Sequence, residues 1–303
     1  MFSQAESREI IRFDHQLYRS FLYCSGARLE HFEKALATNA DAITIDLEDS
    51  IPLKLKHVAR RETVELLRDQ GRDARRPVFV KTNPISSPYG VADLEALAEC
   101  DLAGFRIPKV DSAEEVDQVE GILKAAGFNG CVQLMIETAQ GVLALERIAA
   151  RGERTSLLIV GMQDLCNHLG CAREHVSFVL SHTVVCSRAA GLLPPVLSVV
   201  TSQDPAVLVR ETLQGKERGC WGRLCVHPSQ VDTINEIFTP TEREVERAAR
   251  VIQIMEEAEE NGRTAIRDED GNYLSVWALD QANRTLAIAE ALSRLHVPAV
   301  QAI

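Results

Sequence analysis

The chain has 303 residues, 46% of them hydrophobic and 25% charged, with a formal net charge of −11. That length and mix build a large core in one or two globular domains. The acidic balance argues against a nucleic-acid partner, which attracts basic faces. It also contains no apolar run of the roughly 18 residues that a membrane-spanning helix needs.

The opening stretch MFSQAESREIIRFDHQ has no apolar h-region and predicts no secretory signal. Short β-branched runs then recur, each followed by a helical stretch. The first is 20–25. After it, 28–40 puts Leu29, Phe32, Ala35 and Leu36 on one helical face. The next strands are 42–49, 77–83 and 104–110. Residues 112–127 read as a helix that opens with a capping box, Ser112 and Glu115, and stops at Gly127. Strands 132–138, 156–165, 195–200 and 222–228 complete the series, with Pro194 and Pro195 weakening the seventh. Strand–helix alternation predicts parallel strands with crossover helices. Eight units in about 230 residues fit a (β/α)8 TIM barrel over residues 1–240. An open doubly wound sheet is the alternative.

Residues 241–303 predict a C-terminal helical extension. A helix over 241–262 carries Val245, Ala248, Val251, Ile252 and Met255 at helical spacing. A polar turn, 263–273, leads to a last helix over about 276–294 with Leu279, Ala282, Leu286 and Ala289 on one stripe. Such a tail is either plain packing or a lid over an active site. The eight cysteines form no C-x-x-C pair and read as thiols in a reducing, cytoplasmic compartment, not as a zinc site.

Barrel chemistry collects at the carboxyl ends of the strands. Those ends read Ser25-Gly26, Glu48-Asp49, Lys81 to Asn83, Lys109, Glu137-Thr138, Gln163-Asp164 and His227, while the strand bodies look almost free of charge. At least four carboxylates facing two lysines are costly without another cation. Oxygen ligands with no histidine pair or cysteine favour Mg2+ or Mn2+. Glu137 and Asp164, at the ends of neighbouring apolar runs, are the best metal pair. Each could instead be an ordinary helix N-cap. His227 reads as part of a structural turn before Pro228.

Six stretches occur in order: 19-RSFLYCSGARLEHFEKALATNADAITIDLEDS-50, 81-KTNPISSPYGVADL-94, 107-IPKV-110, 134-LMIETAQGVL-143, 160-VGMQDLCNHLG-170 and 226-VHPSQVDTIN-235. Together they resemble the citrate lyase beta-chain-like aldolases, which include malyl-CoA lyases. The resemblance implies a (β/α)8 barrel with a helical extension, assembled as a trimer or a pair of trimers. It implies Mg2+ held by Glu137 and Asp164. Glu48 and Asp49 would lie near the metal and its waters, orienting them and balancing charge; the alternative is capping and salt bridging. The implied reaction cleaves or forms a carbon–carbon bond in a small hydroxy acid, often a CoA thioester of citramalyl, malyl or citryl type, through a metal-chelated 2-oxo acid. A cation from the third strand, here Lys81, would clamp the substrate carboxylate. Arg19 and Arg28 match basic positions near the family's nucleotide entrance and could hold phosphate; salt bridges are the alternative.

Three departures mark a divergent member. Lys81 stands where the family pattern has Arg, so the planar fork is missing. Ser275, in 271-GNYLSVW-277, stands where lyases of the malyl-CoA type carry an acid/base Asp; Asp270 and Asp280 are near but out of register. The stretch 194-PPVLS-198 lacks the usual I-D, and Ser25 replaces a Pro. The expected function is a Mg2+-dependent carbon–carbon lyase on small molecules. The alternatives are hydrolysis of a malyl-CoA-type thioester, or a non-catalytic metal and oxo-acid binder.

Overall fold

The computed structural model describes residues 17–70, 76–263, 266–268 and 271–295. The chain divides into two compact units, one spanning Tyr18–Ile237 and the other containing the residues from Phe238 onward.

The first unit is a closed barrel of eight parallel strands in sequential order. They are β1 (Ser20–Ser25), β2 (Ala42–Asp46), β3 (Val78–Lys81), β4 (Gly104–Ile107), β5 (Cys131–Ile136), β6 (Thr155–Val160), β7 (Val196–Leu197) and β8 (Arg223–Cys225). Phe21 aligns with Ala42 on one side of β1, and with Leu224 on the other, which closes the ring and rules out the open sheet. Strands covered on both faces read as continuous apolar runs. Accordingly β3, β4 and β5 are buried along their whole length.

The observed strands stop earlier than their apolar sequence. The run 156–165 crosses a boundary: β6 ends at Val160, and Met162 and Leu165 are buried residues of helix α7 (Met162–Leu169). β7 keeps only two ladder residues after Pro194-Pro195, since a proline has no N–H to give. The helix expected over 28–40 shrinks to a 3-10 turn, Leu29–His31, and α1 (Phe32–Leu36), with Phe32 and Ala35 as its buried residues.

The strand bodies are also less free of charge than expected. Arg106 of β4 is fully buried inside the barrel. It donates from Nε and Nη2 to Gln133 Oε1 at 3.0 and 2.6 Å and from Nη1 to Thr44 Oγ1 at 3.2 Å. Its guanidinium also lies 5.0 Å from the Phe21 ring centroid, a cation–π distance. Arg223 of β8 is 2% exposed.

The remaining helices of this unit are α2 (Lys56–Gln70), α3 (Pro88–Leu97), α4 (Ala113–Ala125), α5 (Ala139–Leu143), α6 (Leu145–Ala149), α8 (Ser177–Ala189), α9 (Pro205–Glu217) and α10 (Val231–Phe238), whose last residue falls in the second unit. At α4 the sequence pattern holds with one change. Ser112 Oγ accepts from the Glu115 N–H at 3.2 Å, but the Glu115 carboxylate reaches back to the N–H of Asp111, not of Ser112. Ser112→Ala removes this cap and is expected to cost about 1 kcal/mol in a denaturant titration.

The second unit pairs α11 (Glu242–Glu260) with α12 (Val276–Leu295). Thr241 and Glu244 form a reciprocal capping box at the start of α11. Ala248, Val251, Met255, Leu274 and Ala282 make its buried cluster, with Ile252, Leu279 and Leu286 packed against it. The expected polar turn contains a short antiparallel hairpin, β9 (Ile266–Arg267) with β10 (Tyr273–Leu274). Among the described residues no helix is long and apolar enough to cross a membrane.

Candidate active site

The apolar run of β2 ends in three carboxylates with three different tasks. Asp46 turns the chain, accepting from the Glu48 N–H at 3.0 Å and the Ser50 N–H at 3.2 Å. Glu48 is buried, its carboxylate bridging the ammonium groups of Lys81, the last residue of β3, and Lys109, which follows β4. Asp49 is partly exposed, 3.2 Å from Lys81 Nζ and 3.5 Å from Lys109 Nζ. Burial disfavours both ammonium charges. Tyr23, Asp46, Glu48 and Glu137 nevertheless hold Lys81 well above the ordinary lysine value, and Glu48, Asp49 and Glu137 hold Lys109 above it. Burial would raise Asp49, yet Lys81, Glu48 and Lys109 together keep it below the ordinary range. Two lysines therefore match two carboxylates.

Lys109 has a second role. It is the only non-glycine with a positive φ, 52°, among the described residues. That left-handed backbone aims its N–H at Glu137, donating to Oε2 at 3.1 Å, while its ammonium reaches Glu48.

Glu137 follows β5 and is 2% exposed; Asp164 lies in the first turn of α7. Neither is an N-cap. Thr138 caps α5, accepting from the Gly141 N–H at 3.0 Å, and Gly161 precedes α7 with no side chain to offer. Neither Glu137 nor Asp164 forms an ion pair with a described cationic side chain. Burial pushes Glu137 up to about 7; Glu48 and Asp164 add to the rise, against Lys81 and Lys109. A buried carboxylate facing a second one in the same cavity, neither ion-paired to a described cationic side chain, fits a divalent ion. Among the described residues no group of three or more His, Cys, Asp or Glu is placed to hold a metal. A two-carboxylate set suits Mg2+, which keeps water and substrate in its remaining positions, and does not suit structural zinc.

Gly161 completes the local geometry. A Cβ at that position would lie 2.2 Å from Glu137 Oε1 and 2.3 Å from its Cγ. The glycine leaves the room in which this carboxylate lies.

Asp49, Lys81, Glu137, Gly161 and Asp164 line one cavity of about 720 Å3 at the carboxyl ends of the strands. Arg28 lines it as well, as an exposed residue beside the exposed His31 and Lys34. Arg19 is corrected by the structure. It precedes β1 at the opposite end of the barrel, 5% exposed, and grips Asp41 with Nε at 2.8 Å and Nη2 at 2.7 Å. A guanidinium committed to a buried fork cannot serve an incoming phosphate. His227 caps the turn Pro228–Gln230 through its ring Nδ1, and also lines the cavity. In the second unit Ser275 follows β10, and its carbonyl accepts from Ala278 and Leu279. Asp280 pairs with Arg284 at 2.8 Å, and Asp270 lies outside the described residues.

Sequence reasoning placed Lys109 at a strand end without giving it a task, and missed Gly161. Nothing in a lone lysine after I-P signals a left-handed backbone. A glycine between a strand and an apolar helix turn could have been singled out as a point of close approach.

The pattern of the HpcH/HpaI aldolase/citrate lyase family matches residues 19–228. A (3S)-malyl-CoA thioesterase of Cereibacter sphaeroides is 34% identical over 282 residues, 91% of this chain and 96% of that protein. The citrate lyase subunit beta of Escherichia coli K12 is 29% identical, covering 90% and 93%. CitE of Mycobacterium tuberculosis, solved in complex with magnesium, acetoacetate and coenzyme A, superposes with a TM-score of 0.74 at 26% identity, covering 89% of this chain and 97% of that one. With the match running from the residue before β1 to the turn after β8, and with relatives alike over nearly their whole length, this chain belongs to the HpcH/HpaI aldolase/citrate lyase family.

Proposed function

We propose that the protein is a Mg2+-dependent carbon–carbon lyase acting on a small hydroxy acid or its CoA thioester, of malyl or citramalyl type. The observation that carries this reading is the sorting of carboxylates: Glu48 and Asp49 are matched by Lys81 and Lys109, while Glu137 and Asp164 face the cavity with no cation of their own. Magnesium bound by that pair supplies a Lewis acid for a chelated 2-oxo acid. The magnesium, acetoacetate and coenzyme A of the Mycobacterium tuberculosis CitE structure support the choice of ligands.

The chain's own residues do the positioning. The Lys109 N–H and the space at Gly161 hold the Glu137 carboxylate in one orientation. Lys81 remains protonated and brings positive charge to the wall where a substrate carboxylate docks. Its ammonium already touches Glu48 and Asp49, so it acts as a fixed point charge, not as the two-pronged clamp of an arginine. Arg28 and Lys34, exposed at the cavity, meet the phosphates of a CoA ester. A cavity of about 720 Å3 admits an acyl group with part of its carrier. Assembly as a trimer or a pair of trimers belongs to the same proposal.

One observation favours hydrolysis as a second reading. Ser275 stands where the resemblance expects an acid/base Asp, and a serine hydroxyl does not exchange protons at neutral pH as a carboxylate does. The malyl-CoA thioesterase relative points the same way. Incubation with Mg2+ and a panel of hydroxyacyl-CoA esters separates the two. Acetyl-CoA or propionyl-CoA together with a 2-oxo acid is the expected outcome for lysis. Free CoA with an intact hydroxy acid makes the enzyme a hydrolase. Absence of turnover across the panel rejects both.

A further inference from the structure

A second cavity, of about 400 Å3, opens beside β7, between α9 and the segment that carries the turn Arg173–Val176 and the start of α8. It is separate in chemistry from the reaction cavity. Four arginines line it, Arg173, Arg210, Arg218 and Arg223, against two glutamates, Glu174 and Glu211. Its formal charge is +2 in a chain whose net charge is −11. A cationic concavity on an acidic protein raises the local concentration of anions.

Of the four arginines, only Arg173 has an ion pair among the described residues. Arg173 holds Glu211 at 3.0 Å. Arg210 on α9 and Arg218, the C-cap that follows it, are exposed and have no ion pair among the described residues. Arg223 is 2% exposed; its Nη1 donates to the Ser198 carbonyl at 2.8 Å, and its Nε–H has no partner. A buried, charged donor without an acceptor is expensive and rare, and it calls for an occupant. Burial pushes the Arg223 pKa down to about 10, with Glu211 opposing the shift. An anion in contact would relieve that penalty. The wall is also fixed in place: Gly215 of α9 packs so close to β7 that a Cβ would fall 2.3 Å from Leu197 Cδ1.

We propose that this cavity binds a small multivalent oxyanion, a phosphate group or a dicarboxylate, with Arg223 on its floor and Arg210 and Arg218 at its exposed edge. A guanidinium fork matches both chemistries. Ser198 lines this cavity and the reaction cavity alike, so the occupant sits one residue away from the substrate wall.

Isothermal titration of protein stripped of metal with EDTA and then dialysed free of the chelator, with inorganic phosphate, succinate and chloride at matched ionic strength, tests this. Phosphate or succinate is expected to bind and chloride is not; which of the two binds more tightly identifies the source. Arg210→Glu and Arg218→Glu, both at exposed positions, are each expected to weaken that binding about tenfold or more, the weight of one charge-assisted contact. Arg28→Glu, at the other cavity, is expected to leave it unchanged. Arg223→Met should abolish it, and if that variant does not fold the two exposed ones still decide. The proposal is overturned if neither anion binds beyond chloride, if Arg210→Glu and Arg218→Glu bind as the parent does, or if Arg28→Glu is the variant that loses affinity.

Discussion

Replacing Glu137 by glutamine is expected to make the metal-free protein more stable at pH 8, by about 3 kcal/mol, and to abolish its stabilisation by Mg2+. The first half follows from linkage. Burial lifts the folded-state pKa of Glu137 to about 7 from an ordinary 4.5. The native state therefore holds this proton more tightly than the unfolded chain does. Stability contributed by the protonated carboxyl is fully present below pH 4.5, fades as pH rises through the window, and is gone above about 7. A shift of that size is worth about 3 kcal/mol at 1.36 kcal/mol per unit. Glutamine keeps the shape without the charge, so its contribution stays flat across the same window. The second half follows from the donor set, because an amide is a far weaker partner for Mg2+ than a carboxylate. Saturating Mg2+ stabilises the parent by about 2.7 kcal/mol at a hundredfold excess over its dissociation constant. Denaturant titrations at pH 5 and pH 8, with and without Mg2+, measure both halves. Equal stabilisation of parent and variant by Mg2+ would remove Glu137 from the metal site.

Gly161→Ala is expected to lower turnover about a hundredfold while leaving the barrel folded, since a displacement near 1 Å at a positioned group costs that much. The glycine has φ −74°, a value any residue adopts, so alanine strains no backbone there. Its methyl group instead meets the Glu137 side chain at 2.2 to 2.6 Å. That carboxylate cannot retreat freely, being buried and tied to the Lys109 N–H. Overpacking of this kind costs about 1–3 kcal/mol of stability. Gly121→Ala is the control: nothing lies within 4 Å of the added atom, and a helix-interior alanine stabilises by up to about 1 kcal/mol. Far-UV circular dichroism, Mg2+ affinity and turnover of both variants check the argument. Wild-type turnover in Gly161→Ala would show that the orientation of Glu137 is unimportant.

The barrel is legible in the sequence because its strands are buried on both faces, so each is a compact apolar run at a regular interval. The strand ends are less so. Leu47 continues the apolar run of β2 past its last ladder residue, and Met162 and Leu165 prolong that of β6 although they already belong to a helix. Apolarity reports burial, not the ladder. Carboxylates at strand ends pointed to Glu137 and Asp164, which line one cavity, since a carboxylate after an apolar run is a local signal. Arg19 misled because its partner, Asp41, lies 22 positions away and only the fold brings them together. The sorting of charge, Glu48 to two lysines and Glu137 to none, depends on the turn made by Asp46 and the backbone of Lys109, and neither has a residue-level signature.

Lys109 joins two demands that rarely meet in one amino acid. The left-handed backbone favours glycine or asparagine and costs any other L-residue roughly 1–2 kcal/mol, yet the contact with Glu48 requires a long cation. Glycine would relax the main chain and abandon Glu48; arginine would keep the charge at the same conformational cost; every shorter or neutral replacement forfeits it. Arginine is therefore the one natural replacement that keeps both the reach and the charge at this position.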